Sequence, residues 1–304
     1  MRAVFVDASE TLAAVARRLL RPDDPPFAIN GRPDITPEDL PALLAGAEIA
    51  VIDHTALPVD VARACPGLRH AVFLGTGARS YMDPEALQAE CGVTVHTIKG
   101  YGDTAVAECA FALMWATARG LPEMDRAMRA GRWLRTEAMQ LTGKTVGLIG
   151  FGGIAAEMAR LCRGAGLRVL SWNRTPRTHP GVDFVSLERL LDESDVVSLH
   201  LLLTEETRGF LSAARIAALK PGAILINTAR GAVLDEDALV EALRAGRISG
   251  AGLDVFTVEP LTADHPLTGL PNVVLSAHSA FRTPEASDNL IGAALDHCRR
   301  IAAG

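Results

Sequence analysis

The chain has 304 residues, of which 49% are hydrophobic and 22% charged, and it carries a formal net charge of −6. That length suits two domains of ordinary size, and the composition argues against long disordered stretches. The acidic balance argues against nucleic acid or an anionic membrane surface as a partner, because both call for a concentrated basic face. The first residues, MRAVFVDAS, lead directly into a strand-like segment with no apolar leader, and no run of about 18 apolar residues occurs, so a cytoplasmic protein outside the membrane is expected. Cys65, Cys91, Cys109, Cys162 and Cys298 are odd in number and widely spaced. They form neither a disulfide framework nor a metal pattern, so free thiols and no metal site are expected.

In chain order, Ala3 to Val6, Ile49 to Ile52, His70 to Leu74 and Val93 to Val95 read as short apolar strands. Helical patterns lie between them near Leu12 to Leu20, Pro37 to Leu44, Pro58 to Ala64 and Pro84 to Glu90, several opened by a first-turn proline. This alternation predicts a small parallel sheet with helices on both faces. A long apolar helix, DTAVAECAFALMWATAR from Asp103 to Arg119, connects to a second α/β series. Strands are expected there at Thr145 to Ile149, Arg168 to Trp172, Val196 to Leu201, Ala223 to Asn227, Ala251 to Asp254 and Val273 to Leu275. The closing segment, Pro284 to Ala303, is helical in pattern and is expected to return to the first domain. The expected architecture is therefore α/β with two doubly wound parallel-sheet domains, one formed by 1–97 with 284–304 and the other by 98–283.

The most informative stretch runs from Leu141 to Arg174, LTGKTVGLIGFGGIAAEMARLCRGAGLRVLSWNR. It reads as strand, glycine turn, helix and second strand, with the pattern G-x-G-x-x-A at Gly150, Gly152 and Ala155. Gly150 suits a tight turn, Gly152 lets the backbone approach a pyrophosphate, and Ala155 lets the helix pack close to the strand. The unpaired N–H groups at the helix N-terminus then favour an anion. The second strand ends in Asn173 and Arg174, with Arg177 nearby, where NAD-binding proteins commonly carry an acidic residue for the ribose 2′-hydroxyl. NADP(H) is therefore the expected preferred cofactor, with NAD(H) tolerated.

Three further segments follow: HLLLTEETRGFL at 200–211, INTARGAVLDEDAL at 226–239 and GLDVFTVEPLTADHPLTGLPNVVLSAHSA at 252–280. With the VAE of the connector helix and the loop GTGARSYMD at 75–83, they resemble the D-isomer-specific 2-hydroxyacid dehydrogenases over nearly the whole chain. The resemblance implies a flavodoxin-like substrate domain, a Rossmann dinucleotide-binding domain, a homodimer, and hydride transfer between NAD(P)H and a small 2-oxo acid or D-2-hydroxy acid of the glyoxylate or hydroxypyruvate type. It also implies a catalytic set of Arg230, Glu259 and His278. An arginine offers a planar fork for carboxylate and carbonyl oxygens. A histidine exchanges a proton near neutrality, with the glutamate as its orienting partner. Formate dehydrogenases of the same superfamily carry glutamine beside the histidine, so Glu259 points to proton transfer.

By the same resemblance Gly150, Phe151, Gly152, Gly153, Ile154, Asn173, Arg174, Leu202, Thr207, Thr228, Ala229, Asp254, His278 and Ala280 line the cofactor. Thr76, Gly77, Ala78 and Arg79, together with Arg230, are the expected substrate contacts. Two departures stand out: relatives commonly have proline before the catalytic histidine and within the HxPLT segment, where this chain has Ala277 and Leu202. The chain stops soon after the return helix, so the regulatory domain appended to some phosphoglycerate dehydrogenases is not expected. An alternative of another class is a dinucleotide-sensing corepressor of the same fold, distinguished by absence of turnover.

Overall fold

A computed structural model describes residues 1–32 and 34–304. By the contacts within it the chain divides into two compact units, Met1–Gly102 with Arg282–Gly304, and Asp103–Phe281. The crossing points thus fall at 102 and 282, where the sequence pattern suggested 97 and 284. Every strand pair in both sheets is parallel.

The first unit begins with β1 (Ala3–Phe5), α1 (Glu10–Leu19), β2 (Phe27–Ile29), α2 (Leu40–Leu43), β3 (Ile49–Ile52), α3 (Val59–Arg63), β4 (His70–Phe73), α4 (Pro84–Cys91) and β5 (Thr94–Thr97). The second contains α5 (Asp103–Ala118), α6 (Leu121–Arg129), β6 (Thr145–Ile149), α7 (Gly153–Gly164), β7 (Arg168–Trp172), β8 (Asp183–Phe184), α8 (Leu187–Glu193), β9 (Val196–Leu199), α9 (Ala213–Ala217), β10 (Ile224–Asn227), α10 (Glu236–Arg244), β11 (Gly250–Leu253) and β12 (Val273–Leu275). The chain closes with α11 (Pro284–Ala303), back in the first unit.

The first sheet has the order β2-β1-β3-β4-β5. Alternate residues of its strands face two apolar layers, as a period of two requires. Val4, Ala50, Ile52 and Phe73 pack with Leu40, Ala62 and Leu87 of the helices on one side. Phe5, Val51 and Val72 pack with Ala13, Ala16, Leu290 and Leu295 of α1 and α11 on the other. Helix starts are set by local chemistry: Ser9 caps α1, Asp83 caps α4 ahead of Pro84, and Thr283 caps α11 ahead of Pro284.

The second sheet runs β12-β11-β10-β9-β6-β7-β8. Its central strands read as continuous apolar runs because helices cover both faces. Leu148, Val169 and Ile226 meet α5 and α7 through Ala110, Met114, Ala155 and Met158, while Val197, Leu225 and Leu253 meet α8 and α10 through Leu190, Leu239 and Leu243. The strand order reverses between β6 and β9, which opens a crevice at their carboxyl ends.

Candidate active site

At that reversal lies the glycine turn. Gly150 has φ +88, a left-handed conformation that L side chains rarely adopt. A Cβ there would also stand 2.6 Å from the His200 carbonyl oxygen at the end of β9. Gly152 precedes α7 without a side-chain cap, and the space a Cβ of Gly152 would enter is open. The first turn of α7 therefore presents uncapped N–H groups beside open space, the combination that receives a pyrophosphate.

Asn173, at the end of β7, does not hold out a lone side chain. Its Oδ1 accepts from the Phe151 N–H at 3.1 Å and its Nδ2 donates to the Thr175 carbonyl at 2.7 Å, tying the glycine turn to the neighbouring strand end. Arg174 is paired with Glu206, both largely exposed. In the loop after β9, Thr207 donates from Oγ1 to the Leu202 carbonyl at 2.6 Å and accepts from the Thr204 N–H at 2.7 Å, while the Leu202 side chain is exposed. Two buried polar atoms lack a protein partner here: Thr228 Oγ1, just beyond β10, and His200 Nε2. Burial pushes the His200 pKa down to about 4, so its ring is neutral at pH 7. A cradle opened by Gly152 together with these two orphaned polar atoms fits a dinucleotide.

The three neighbouring strands β10, β11 and β12 deliver Arg230, Glu259 and His278 from the loops at their carboxyl ends. His278 Nδ1 lies 2.7 Å from Glu259 Oε2. A carboxylate only accepts, so Nδ1–H donates, which leaves Nε2 as the ring nitrogen not engaged by Glu259. The other oxygen, Oε1, accepts from the Phe256 N–H at 2.9 Å, so both ends of the carboxylate are held. His278 has φ +48, the one non-glycine residue with positive φ among the described residues. Such a conformation persists where its surroundings over-determine it.

Those surroundings are centred on Asp254, which is 1% exposed. Its carboxylate accepts from the Ser279 and Ala280 N–H groups at 3.0 Å each and from the Ser276 hydroxyl, and its carbonyl accepts from the His278 N–H at 2.8 Å. Asp254 thus gathers the loop that carries the histidine, and Ala280 is placed there by its own N–H. Cys109, on α5, senses the same carboxylate: burial and Asp254 together push its thiol up to about 11.

Arg230 is held by backbone geometry. The buried Asn227 accepts from the Ala229 N–H and donates to the Arg230 carbonyl, each at 3.0 Å. The Arg230 side chain is exposed and donates to the Ala229 carbonyl at 2.6 Å. The next residue, Gly231, lies directly against the Phe256–Thr257 peptide: a Cβ would fall 1.9 Å from Phe256 C and 2.3 Å from Thr257 N. The arginine loop and the loop that anchors Glu259 therefore touch through a glycine. Asn227, Gly231, Ser276 and His200 escape a reading of the sequence. The nearest signal is the run INTARG itself, whose Asn and Gly flank the arginine.

In the first unit, Thr76 to Arg79 follow β4. Thr76 is exposed and Ala78 buried, opening a short 3-10 turn. Arg79 is engaged with Glu85 through both terminal nitrogens, in a pair largely open to solvent. A second unforeseen arrangement lies at the β1 and β3 ends, where the fully buried Asp7 accepts from the N–H groups of Asp53, His54 and Thr55 at 2.9, 2.8 and 2.7 Å.

A doubly wound sheet with a glycine turn at its reversal, and a carboxylate-bound histidine and an arginine on loops at the carboxyl ends of the same sheet, define a nucleotide-dependent oxidoreductase. Residues 111–280 match the family described as D-isomer specific 2-hydroxyacid dehydrogenase, NAD binding domain. The chain is 39% identical over 245 residues to a glyoxylate reductase of Korarchaeum cryptofilum, covering 77% of this chain and 73% of the relative. It is 33% identical over 279 residues to a glycerate dehydrogenase of Methylorubrum extorquens, covering 88% and 87%. A solved protein of Thermus thermophilus superposes with a TM-score of 0.88 at 33% identity, covering 100% of this chain and 97% of that one. The chain belongs to the D-isomer-specific 2-hydroxyacid dehydrogenase family and is an NAD(P)-dependent oxidoreductase.

Proposed function

We propose that this enzyme reduces glyoxylate to glycolate or hydroxypyruvate to D-glycerate, with NADPH preferred over NADH. The observation that carries the reading is the Glu259–His278 pair at 2.7 Å on the loops after β11 and β12, in the sheet whose β10 loop carries Arg230. When bound, the reduced nicotinamide supplies the hydride. Arg230 holds the substrate carboxylate and draws charge toward the carbonyl oxygen with its fixed positive fork. His278 Nε2 gives its proton to that oxygen as the alkoxide develops, and Glu259 keeps the ring oriented through Nδ1. Asp254 holds the His278 loop in register and meets the cofactor near its carboxamide. The first unit supplies N–H groups of Thr76, Gly77 and Ala78 for the substrate carboxylate, and Arg79 gives up Glu85 where a substrate carries a second anionic group.

The NADPH preference rests on Asn173 and Arg174, since the residues that end β7 are not acidic and the carboxylate that reaches them, Glu206, is paired with Arg174. We further propose a cytoplasmic homodimer. No helix is long and apolar enough to cross a membrane among the described residues, and Leu121, Met128 and Trp133 expose apolar surface along and after α6. The test is oxidation of NADPH and NADH with glyoxylate, hydroxypyruvate, pyruvate, phenylpyruvate, oxaloacetate and phosphohydroxypyruvate. Turnover with the first two, favouring NADPH, is expected. Tight dinucleotide binding without turnover on any of them would overturn the proposal.

A further inference from the structure

The glycine turn has a neighbour that works against its ligand. Asp103 is the first residue of α5, Gly153 the first of α7, and the two helices pack along one another through Ala107, Ala110 and Met114 against Ala155, Met158 and Cys162. Their N-termini stand together. A Cβ on Gly153 would fall 1.7 Å from Asp103 Oδ2, so the carboxylate lies directly over this glycine. It lies beside the end of α7 that the uncapped Gly152 and its open space offer to a pyrophosphate.

The charges around it give no relief. The residues from Gly150 to Ile154 carry no ionisable side chain, and the first turn of α5 holds no basic residue. From α7 the facing charge is Glu157, itself bound by Arg160 at 2.9 Å. Burial, then Glu157, pushes the Asp103 carboxyl above its ordinary value. A pyrophosphate brought to the same helix end adds negative charge within a few ångströms and drives the carboxyl further toward its neutral form.

We infer that Asp103 couples dinucleotide binding to protonation: its carboxylate, seated on Gly153 in the free enzyme, opposes an arriving pyrophosphate, which in turn raises the protonated fraction of the carboxyl. The inference rests on the glycine turn being the dinucleotide site. At an effective dielectric of about 40 and about 6 Å, one pair of like charges weakens binding roughly tenfold. Binding should therefore tighten as pH falls toward the carboxyl pKa and weaken toward a plateau above it.

The probe is ADP-ribose, which keeps the pyrophosphate but has no 2′-phosphate of its own to titrate near neutrality. Titration calorimetry of the wild-type enzyme, in buffers of different ionisation enthalpy from pH 8.5 down to pH 5, should show proton uptake on binding that grows toward the acid end. Asp103→Asn should abolish the uptake, flatten the pH profile and bind about tenfold more tightly at pH 8. Adenosine, lacking phosphates, should be indifferent to both pH and substitution. ADP-ribose binding to the wild type without proton uptake, or an Asp103→Asn enzyme with the wild-type pH slope, would overturn the inference. Failure of the wild type to bind ADP-ribose at all would instead overturn the assignment of the glycine turn. The wild-type calorimetry decides the matter even if the variant does not fold.

Discussion

Gly231→Ala is the substitution that most directly tests whether the arginine and glutamate loops act as one unit. The added methyl would sit 1.9 Å from Phe256 C and 2.1 Å from its carbonyl oxygen, both backbone atoms that no rotamer change can move. Ordinary carbon–carbon contact is about 3.5 Å, so the loops must part by roughly 1.6 Å. Two site residues move with them. Arg230 adjoins the methyl, and the Phe256 N–H is the group that holds Glu259 Oε1. A displacement of about 1 Å at a reacting centre costs on the order of 10²-fold, and overpacking of this kind costs about 1–3 kcal/mol of stability. We expect kcat/KM for glyoxylate reduction to fall about 100-fold, the thermal midpoint to drop by a few degrees, and dinucleotide affinity to stay within about threefold, because the glycine turn lies two strands away, at the end of β6. The assay is steady-state NADPH oxidation with binding and melting measured on the same preparation. A folded variant keeping more than about a third of the wild-type kcat/KM would refute the coupling of the two loops.

Glu259→Gln leaves the volume unchanged but removes the charge that faces His278; the amide either sets its NH2 against the Phe256 N–H or turns its NH2 to His278 and drives the ring into the tautomer in which Nδ1 accepts. Loss of a charge-assisted hydrogen bond of about 1.5–3 kcal/mol predicts a roughly 10- to 150-fold lower kcat for reduction, and a kcat within twofold of wild type would count against the pair. Arg174→Ala should weaken NADPH binding about tenfold and leave NADH within about twofold, while leaving Glu206 to repel a 2′-phosphate; equal losses for both dinucleotides in a binding titration would contradict the assignment. Stability should fall in acid. The folded-state pKa of His200 is lowered to about 4, and burial also lowers those of His70, His96 and His297, whereas an unfolded histidine titrates near 6.5. The unfolded chain then binds more protons below about pH 6.5, so their contribution is complete above that value and is lost as pH falls toward 4. For His200 alone the loss at pH 5 is about 2 kcal/mol; urea unfolding of His200→Gln should show a shallower decline between pH 7 and 5, and an identical decline would rule His200 out.

The parts of this fold that can be read from residues alone are those with a local cause. Thr145–Ile149 and Arg168–Trp172 coincide with the expected strands because helices cover both faces and the apolar run is continuous. The edge strands Phe27–Ile29 and Asp183–Phe184 are invisible in the sequence because three and two residues, half-buried or exposed, make no pattern. The stretch from Pro37 to Leu44, whose spacing predicts one helix, is a 3-10 turn followed by a four-residue helix, since Pro41 interrupts it. At the site, Gly150 is legible because its role follows from chain geometry, whereas Gly231 and Gly153 matter only through what approaches them from elsewhere, Phe256 in one case and Asp103 in the other. Arg230, Glu259 and His278 are common residue types in common loops, and the sequence singles them out only as an ordered set.

The two units also share a device that no spacing rule reveals. In each, an aspartate just beyond a buried strand turns its carboxylate away from solvent to collect the N–H groups of a neighbouring loop. Asp7, following β1, takes three from the loop after β3; Asp254, following β11, takes two from the loop after β12. An ionised carboxylate with several backbone donors satisfies its own burial and removes the conformational freedom of the loop it binds. A loop so held can keep a strained residue such as His278 at φ +48, which an unrestrained loop would relax. Strand-end aspartates are therefore structural in origin even where they adjoin chemistry. The position of the His278 ring depends on Asp254 through the backbone as much as on Glu259 through its Nδ1.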